Sequence, residues 1–348
     1  MLAAVTTAPK QMEIRDVPEP EPGPGQALIR VETAGLCGSD YHLYSGDHPY
    51  AHFPQIQGHE FAGIVEATGP GYTGPAAIGD RVAIEPLIAC GHCFACRRGR
   101  YNCCSTLQVM GAHTAGALRE KVAVAGSALH PVPGLDAATA ALVEPVSIGL
   151  QAVIRAAVAA EDTVLVLGAG PIGQAVSLAA ADRGAEVMIT DLVDGRLEIA
   201  RRLGARHCVA GTGGPADAAA LAGAVRDWTA GEGAAVVVDA TGSPALVRQA
   251  FDLVAHSGTI VIVGISQREA AIPVSEFTRK EVSVLGSRNN AGVFGAAADL
   301  VTRHAASVRT LITHTYPLER APEAIEYAMN HPRLVEKAVI NIGGDACE

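Results

Sequence analysis

The pattern of apolar and polar positions changes character twice along the chain. In the first part of the chain, apolar positions come in short bursts between breakers, before an Ala-rich run at 137–160 that Glu144, Pro145, Gln151 and Arg155 interrupt. Residues 1–35 read as short strands and turns: Pro18, Pro20, Pro22 and Pro24 with Gly23 and Gly25 form a breaker cluster, and residues 27–31 are strand-like. Residues 43–57, with Tyr44, His48, Tyr50, His52 and Phe53, read as loop, and strand patterns resume at 63–66 and 81–84. No βαβ rhythm is present, which predicts a β-rich domain. Near residue 162 the rhythm changes. Residues 163–167 form a continuous apolar run, as a parallel strand buried on both faces requires. An Ala-rich helix to Arg183 follows, then a strand at 187–190, a helix at about 195–203, and strands at 236–239, 259–263 and 281–285. This alternation predicts an α/β doubly wound parallel sheet. From 288 the pattern changes again, to helices near 293–305 and 322–329 and a closing strand at 337–342. Roughly 60 residues are few for a further domain, so this tail is expected to complete the first one.

Composition narrows the classes. Hydrophobic residues make up 49% of the 348 residues but aromatics only 4%, so the cores must be built mainly of Ala, Val, Leu and Ile. A formal charge of −10 argues against a nucleic-acid partner, which needs a basic face. The start of the chain lacks a signal-peptide pattern, and no stretch reaches the ~18 uninterrupted apolar residues of a membrane span. A cytoplasmic protein without a membrane partner is the expectation, and there eight cysteines are thiols or metal ligands rather than disulfides.

Three groups of residues carry candidate chemistry. Gly168, Gly170 and Gly173, with Pro171 and Ile172 between them, follow a strand and open a helix, and Asp191 ends the next strand. That context fits a dinucleotide: the glycines permit the turn, the approach of pyrophosphate and close helix packing. The carboxylate of Asp191 suits ribose hydroxyls and favours NAD over NADP, while Arg196 could embrace the adenosine ribose or tolerate a phosphate. Cys90, Cys93, Cys96 and Cys104 have the spacing of a closed structural zinc site in a small lobe at 88–106, with Cys103 as a possible substitute for Cys104. The third group is dispersed: Cys37-Gly38-Ser39-Asp40-Tyr41-His42, Gly58-His59-Glu60 and Glu144-Pro145. Spacing alone does not bring these segments together.

The three groups occur together and in order, and that pattern resembles the zinc-dependent medium-chain alcohol dehydrogenase family, on its polyol (sorbitol), sugar-acid and threonine dehydrogenase branch. The resemblance implies a Rossmann coenzyme domain at 149–287 and a split, β-rich GroES-like catalytic domain at 1–148 and 288–348. It implies two zinc ions per chain, NAD as cofactor, and a homodimer or homotetramer. It assigns Cys37, His59 and Glu144 to a catalytic zinc, Glu60 to a carboxylate assisting ligand exchange, and Asp40 to orienting the ligand histidine. Ser39 would take the alcohol proton and His42 would pass it to solvent. Cys90, Cys93, Cys96 and Cys104 match the structural zinc ligands, and Asp191 and Arg196 the adenosine-ribose contacts.

The polar, His-rich loop 43–55 suits a polyhydroxylated substrate. Arg288 could pair a carboxylate, Asn289 could bind a hydroxyl, and His113 is a further candidate. Together they suggest a polyol or an aldonate such as galactonate or gulonate. L-threonine 3-dehydrogenase and a non-catalytic NAD-binding protein are the competing readings.

Overall fold

The strand Gln26–Gly35 is the spine of the first unit. In this computed structural model, which describes residues 1–214 and 216–343, that strand pairs with Glu60–Thr68, Lys121–Ala125 and Lys337–Asn341. Its inward positions Ala27, Ile29, Val31 and Ala34 are fully buried, joined in one core by Phe61, Val65, Val122 and Ile340. The sheet runs in the order Leu129–Pro131, Arg81–Ile84, Glu60–Thr68, Gln26–Gly35, Lys337–Asn341 and Ile312–Pro317, with Lys121–Ala125 paired to the side. A smaller sheet pairs Leu2–Ala8 with Gln11–Asp16 and Gln55–Ile56. The closing strand Lys337–Asn341 therefore lies directly beside the spine.

The chain packs as two units, Met1–Glu144 with residues from Ala291 on, and Pro145–Asn290. The sequence put the changes at 148 and 288. The second unit is a six-stranded parallel sheet ordered His207–Ala210, Glu186–Asp191, Thr163–Leu167, Ala234–Asp239, Val254–Ile262 and Ser283–Gly286. Numbered along the sheet's own strands this is 3-2-1-4-5-6, the doubly wound order with its switch point beside the first strand. Val164, Leu165, Val166 and Leu167 are fully buried, as the unbroken apolar run required.

Two local readings change. The segment read as loop from residue 43 begins inside a helix, Gly38–Ser45, which Gly46 ends in the left-handed conformation at φ 81°. Its apolar pattern is too short to betray a helix, since Leu43 and Tyr44 are its buried apolar residues and Tyr41 adds a partly buried contact. The helical run Ala137–Arg155 is long and apolar enough to cross a membrane by length and composition, and 78% of its apolar window is buried inside the protein.

Candidate functional site

Cys37 leaves the spine strand and forms the N-cap of helix Gly38–Ser45. Asp40, three residues on, accepts the Cys37 N–H at 2.9 Å with Oδ2 and the Gly58 N–H at 3.3 Å with Oδ1. One fully buried carboxylate thus ties the Cys37 turn to the His59 turn. Gln57, also fully buried, strengthens the tie: its Nε2 donates to the Asp40 carbonyl at 2.7 Å, and its Oε1 accepts from Thr6 Oγ1 at 2.6 Å. The buried imidazole of His59 presents Nδ1 towards Asp40 Oδ1 at 3.8 Å and Nε2 towards Ser39 Oγ at 3.5 Å. His59 Nδ1 has no hydrogen-bond partner despite its burial.

The thiol of Cys37, the ring of His59 and the carboxylate of Glu60 offer ligand atoms that all lie within 4.8 Å of one another. The sequence named Glu144 as the third ligand and left Glu60 beside the metal. Glu144, buried in the first turn of helix Val143–Arg155, is not a member of this close group. Glu60 is held there by chain geometry, since it follows His59 directly and pairs with Gly35 across the sheet. A Cβ on residue 35 would stand 2.4 Å from Glu60 Oε2, so only glycine leaves the carboxylate its place. Both Glu60 oxygens accept from Lys337 Nζ, at 2.8 and 2.7 Å, and Lys337 also donates to the Leu36 carbonyl at 3.2 Å.

The electrostatics suit a cation. Burial raises the Asp40 carboxyl above its ordinary range, with the charge of His59 pulling the other way. Burial also pushes Glu144 up to about 7, again opposed by His59. Burial alone would make His59 a weaker base, but Asp40, then Cys37 and Glu144, outweigh it and hold the imidazole well above its usual range. Acidic groups therefore crowd a small buried space in which Lys337 and His59 are the compensating cations. A thiol, an imidazole and a carboxylate in mutual reach, with an orphaned imidazole nitrogen aimed at an acid, form a donor set that fits zinc.

Ser39 and His42 stand three residues apart on helix Gly38–Ser45, a spacing that sets them on one face. Asp40, Leu43 and Tyr44 are its buried residues, and His42 is exposed.

The cysteine lobe gathers Cys90, Cys93, Cys96 and Cys104, whose sulfurs lie within 4.8 Å of one another. Cys104 is buried and Cys103 exposed, so Cys104 is the fourth member. The Cys90 N–H donates to Cys104 Sγ at 3.3 Å and the Cys93 N–H to Cys90 Sγ at 3.4 Å. A backbone N–H from Cys96 is the largest influence lowering Cys93, to about 5, and one from Cys90 is the largest lowering Cys104, to about 7. Donors of this kind favour thiolates, the form that binds zinc. The lobe's helix Phe94–Arg97 has no buried residue, so a metal would supply the stability that packing does not.

In the second unit, Gly168 turns the chain at φ 95° after strand Thr163–Leu167, and helix Pro171–Asp182 starts with Gly170 as its uncapped N-cap. A Cβ at residue 173 would sit 1.9 Å from the Gly168 carbonyl, whereas one at 170 would meet nothing within 4 Å. The middle glycine thus faces open space where a phosphate could meet the free N–H groups of the helix start, including that of Ile172. Asp191 accepts the Ala169 N–H at 2.7 Å and the Val193 N–H at 3.0 Å, with Arg196 Nη1 3.9 Å away. The buried Gln174 braces the turn, donating to the carbonyls of Ala169 and Arg196 at 3.0 and 2.7 Å.

His113 lies in the first unit, its ring centroid 4.3 Å from that of Tyr50, which in turn lies 5.5 Å from His48. Burial, then the neighbouring His113 and His42, lower the pKa of His48. Arg288 and Asn289 lie in the second unit, past strand Ser283–Gly286; Arg288 is exposed and Asn289 adopts a left-handed φ of 45°. Three residues had no sequence signal of their own: Gln57, Gln174 and Lys337.

Comparison with known proteins agrees with this geometry. Residues 23–134 match the alcohol dehydrogenase GroES-like domain and residues 171–303 the zinc-binding dehydrogenase domain. The chain is 33% identical to the L-galactonate-5-dehydrogenase of Escherichia coli K12, over 98% of each chain. It is 31% identical to the sorbitol dehydrogenase of Bacillus subtilis, over 94% of each. Among solved structures, an alcohol dehydrogenase of E. coli CFT073 complexed with NADH superposes with a TM-score of 0.89 at 30% identity, covering 98% of this chain and 99% of that one.

Proposed function

We propose that this chain, which belongs to the zinc-type alcohol dehydrogenase family, oxidises a secondary alcohol of a polyol or sugar acid to a ketone with NAD as acceptor. The main support is the close group of half-buried Cys37 with buried His59 and Glu60, with the Ser39 hydroxyl 3.5 Å from the same imidazole. Zinc held by Cys37, His59 and one of the carboxylates Glu60 or Glu144 would supply the Lewis acidity that favours a deprotonated alcohol, and NAD at the Gly168 turn the hydride acceptor.

The chain's own residues then have distinct tasks. Asp40 fixes the His59 ring and joins its turn to that of Cys37. Ser39 accepts the alcohol proton, and the exposed His42 passes it to solvent. Gly170 and the start of helix Pro171–Asp182 receive the coenzyme phosphates, and Asp191 and Arg196 the adenosine ribose. Tyr50, His48 and His113 supply polar edges suited to hydroxyls, and Arg288 and Asn289 remain candidates for a carboxylate and a hydroxyl. The four-cysteine lobe holds a second, structural zinc. A cytoplasmic homodimer or homotetramer completes the reading.

NADH formation by the zinc-replete protein, measured over sugar alcohols, aldonates, inositols and L-threonine, tests it. Turnover on aldonates or polyols is expected. Selective oxidation of L-threonine would replace the substrate class, and no NADH from any alcohol would remove the activity.

A further inference from the structure

Arg119 is flanked by Glu120 and Lys121, both of which are satisfied. Glu120 accepts the Leu2 N–H at 2.7 Å, and Lys121 pairs with Glu19 and Glu66 at 2.7 and 2.6 Å. The Arg119 side chain is different. Its Nε is buried without a hydrogen-bond partner, and no carboxylate among the described residues pairs with its guanidinium. Burial lowers its pKa, with no acidic neighbour to offset that cost. Arg119 as a whole is half-buried, but a guanidinium nitrogen withdrawn from water without a partner is costly, and a ligand that pairs with the group would offset that cost.

The side chain lines a cavity of about 710 Å³, together with Leu87, Ile88, Met110, Val124 and Glu85. Glu85 is engaged elsewhere: it accepts from Tyr101 Oη at 2.7 Å and lies 3.8 Å from His130 Nε2. Tyr101 Oη also accepts the Gly292 N–H at 2.7 Å, which fixes the pair. The cavity thus presents the unpaired Arg119 guanidinium beside walls of mixed character, the aliphatic Leu87, Ile88, Met110 and Val124 alternating with the polar Gln26, Thr114 and Ser127. None of its lining residues belongs to either cysteine-containing metal group or to the coenzyme turn. Its volume is within the ~300–1,000 Å³ of small-molecule sites, far more than a bare inorganic ion would fill. A guanidinium prefers the forked geometry of a carboxylate or phosphate.

We propose that this cavity is a second ligand site, binding a small carboxylate with an apolar body through Arg119. The test uses the full-length, zinc-loaded protein and hexanoate as probe, with inorganic phosphate as the bare-charge control, followed by calorimetric titration. Hexanoate is expected to bind one per chain. Arg119→Met should weaken it by about tenfold or more, as loss of a charged hydrogen bond does, and Arg119→Lys should weaken it less. In ligand-free buffer Arg119→Met should melt no lower than the wild type, because no internal partner is lost. Equal hexanoate binding by wild type and Arg119→Met, or no binding by either, overturns the site. Phosphate binding as tightly as hexanoate overturns the apolar body. A clear fall in melting temperature for ligand-free Arg119→Met shows an internal partner and also overturns it. So does a change of oligomeric state with hexanoate binding intact, which would give the charge to a second copy of the chain.

Discussion

Lys337 Nζ grips both carboxylate oxygens of Glu60, at 2.8 and 2.7 Å, across 277 residues of chain. The pair is almost wholly buried, at 3% and 1% side-chain exposure, and sits where the tail of the chain returns to the spine strand. The ammonium group holds the carboxylate in place, so that Glu60 stands within reach of Cys37 and His59 without being free to turn away. Lys337→Met strands that charge. We expect a loss of about 3–5 kcal/mol in urea unfolding, as for a buried pair broken on one side, with Glu60→Leu/Lys337→Met recovering most of it. A loss under about 1 kcal/mol for the single variant would mean that the pair is not structural.

The two carboxylates that flank the metal group make separable predictions. If Glu60 is the third ligand, Glu60→Gln should weaken zinc affinity at this site by about tenfold or more and Glu144→Gln much less, since loss of a ligand exceeds the 10–100-fold typical of its supporting groups. Competition with a chromophoric chelator reads both. The reverse order would return the role to Glu144.

Glu144 also sets a pH dependence. Its folded pKa, about 7, lies above the ordinary 4.5, chiefly through burial. A raised carboxyl pKa means that the folded state keeps a proton the unfolded state releases. The contribution to stability is full below about pH 4.5 and fades as pH rises through 7. Metal-free wild type should therefore lose stability relative to Glu144→Gln between pH 5 and 8. Parallel stability curves for the two proteins would contradict this.

Ser39→Ala should lower turnover by about 10²-fold or more with zinc content unchanged, the usual effect of losing a positioned acid–base group. Full turnover in a metal-replete variant takes Ser39 out of the proton path.

Cys93→Ser should reduce zinc from two to one per chain and open the lobe to trypsin at Arg97, Arg98 and Arg100, because no buried side chain holds helix Phe94–Arg97. Two zinc ions and unchanged resistance would show that the lobe does not depend on metal.

Much of this was legible in the residues. The apolar run 163–167, the glycines after it and the four-cysteine spacing each carry their own period or context, and the structure realises them with little change. The group of Cys37, His59 and Glu60 was not legible as such: the joint pattern pointed to Cys37 and His59 but named Glu144 as third ligand, because these residues meet by strand pairing and not by spacing. Helix Gly38–Ser45 escaped notice since two buried apolar residues make no period. The bracing roles of Gln57, Gln174 and Lys337 depend on tertiary hydrogen bonds, for which local sequence has no signature.

Anomalous diffraction at the zinc edge from crystals of the zinc-replete protein tests the central claim most directly. Two peaks per chain are predicted, one among the four lobe cysteines and one bounded by Cys37 Sγ, the His59 ring and a carboxylate oxygen. A single peak confined to the lobe, in protein that oxidises alcohols with NAD, would contradict the account.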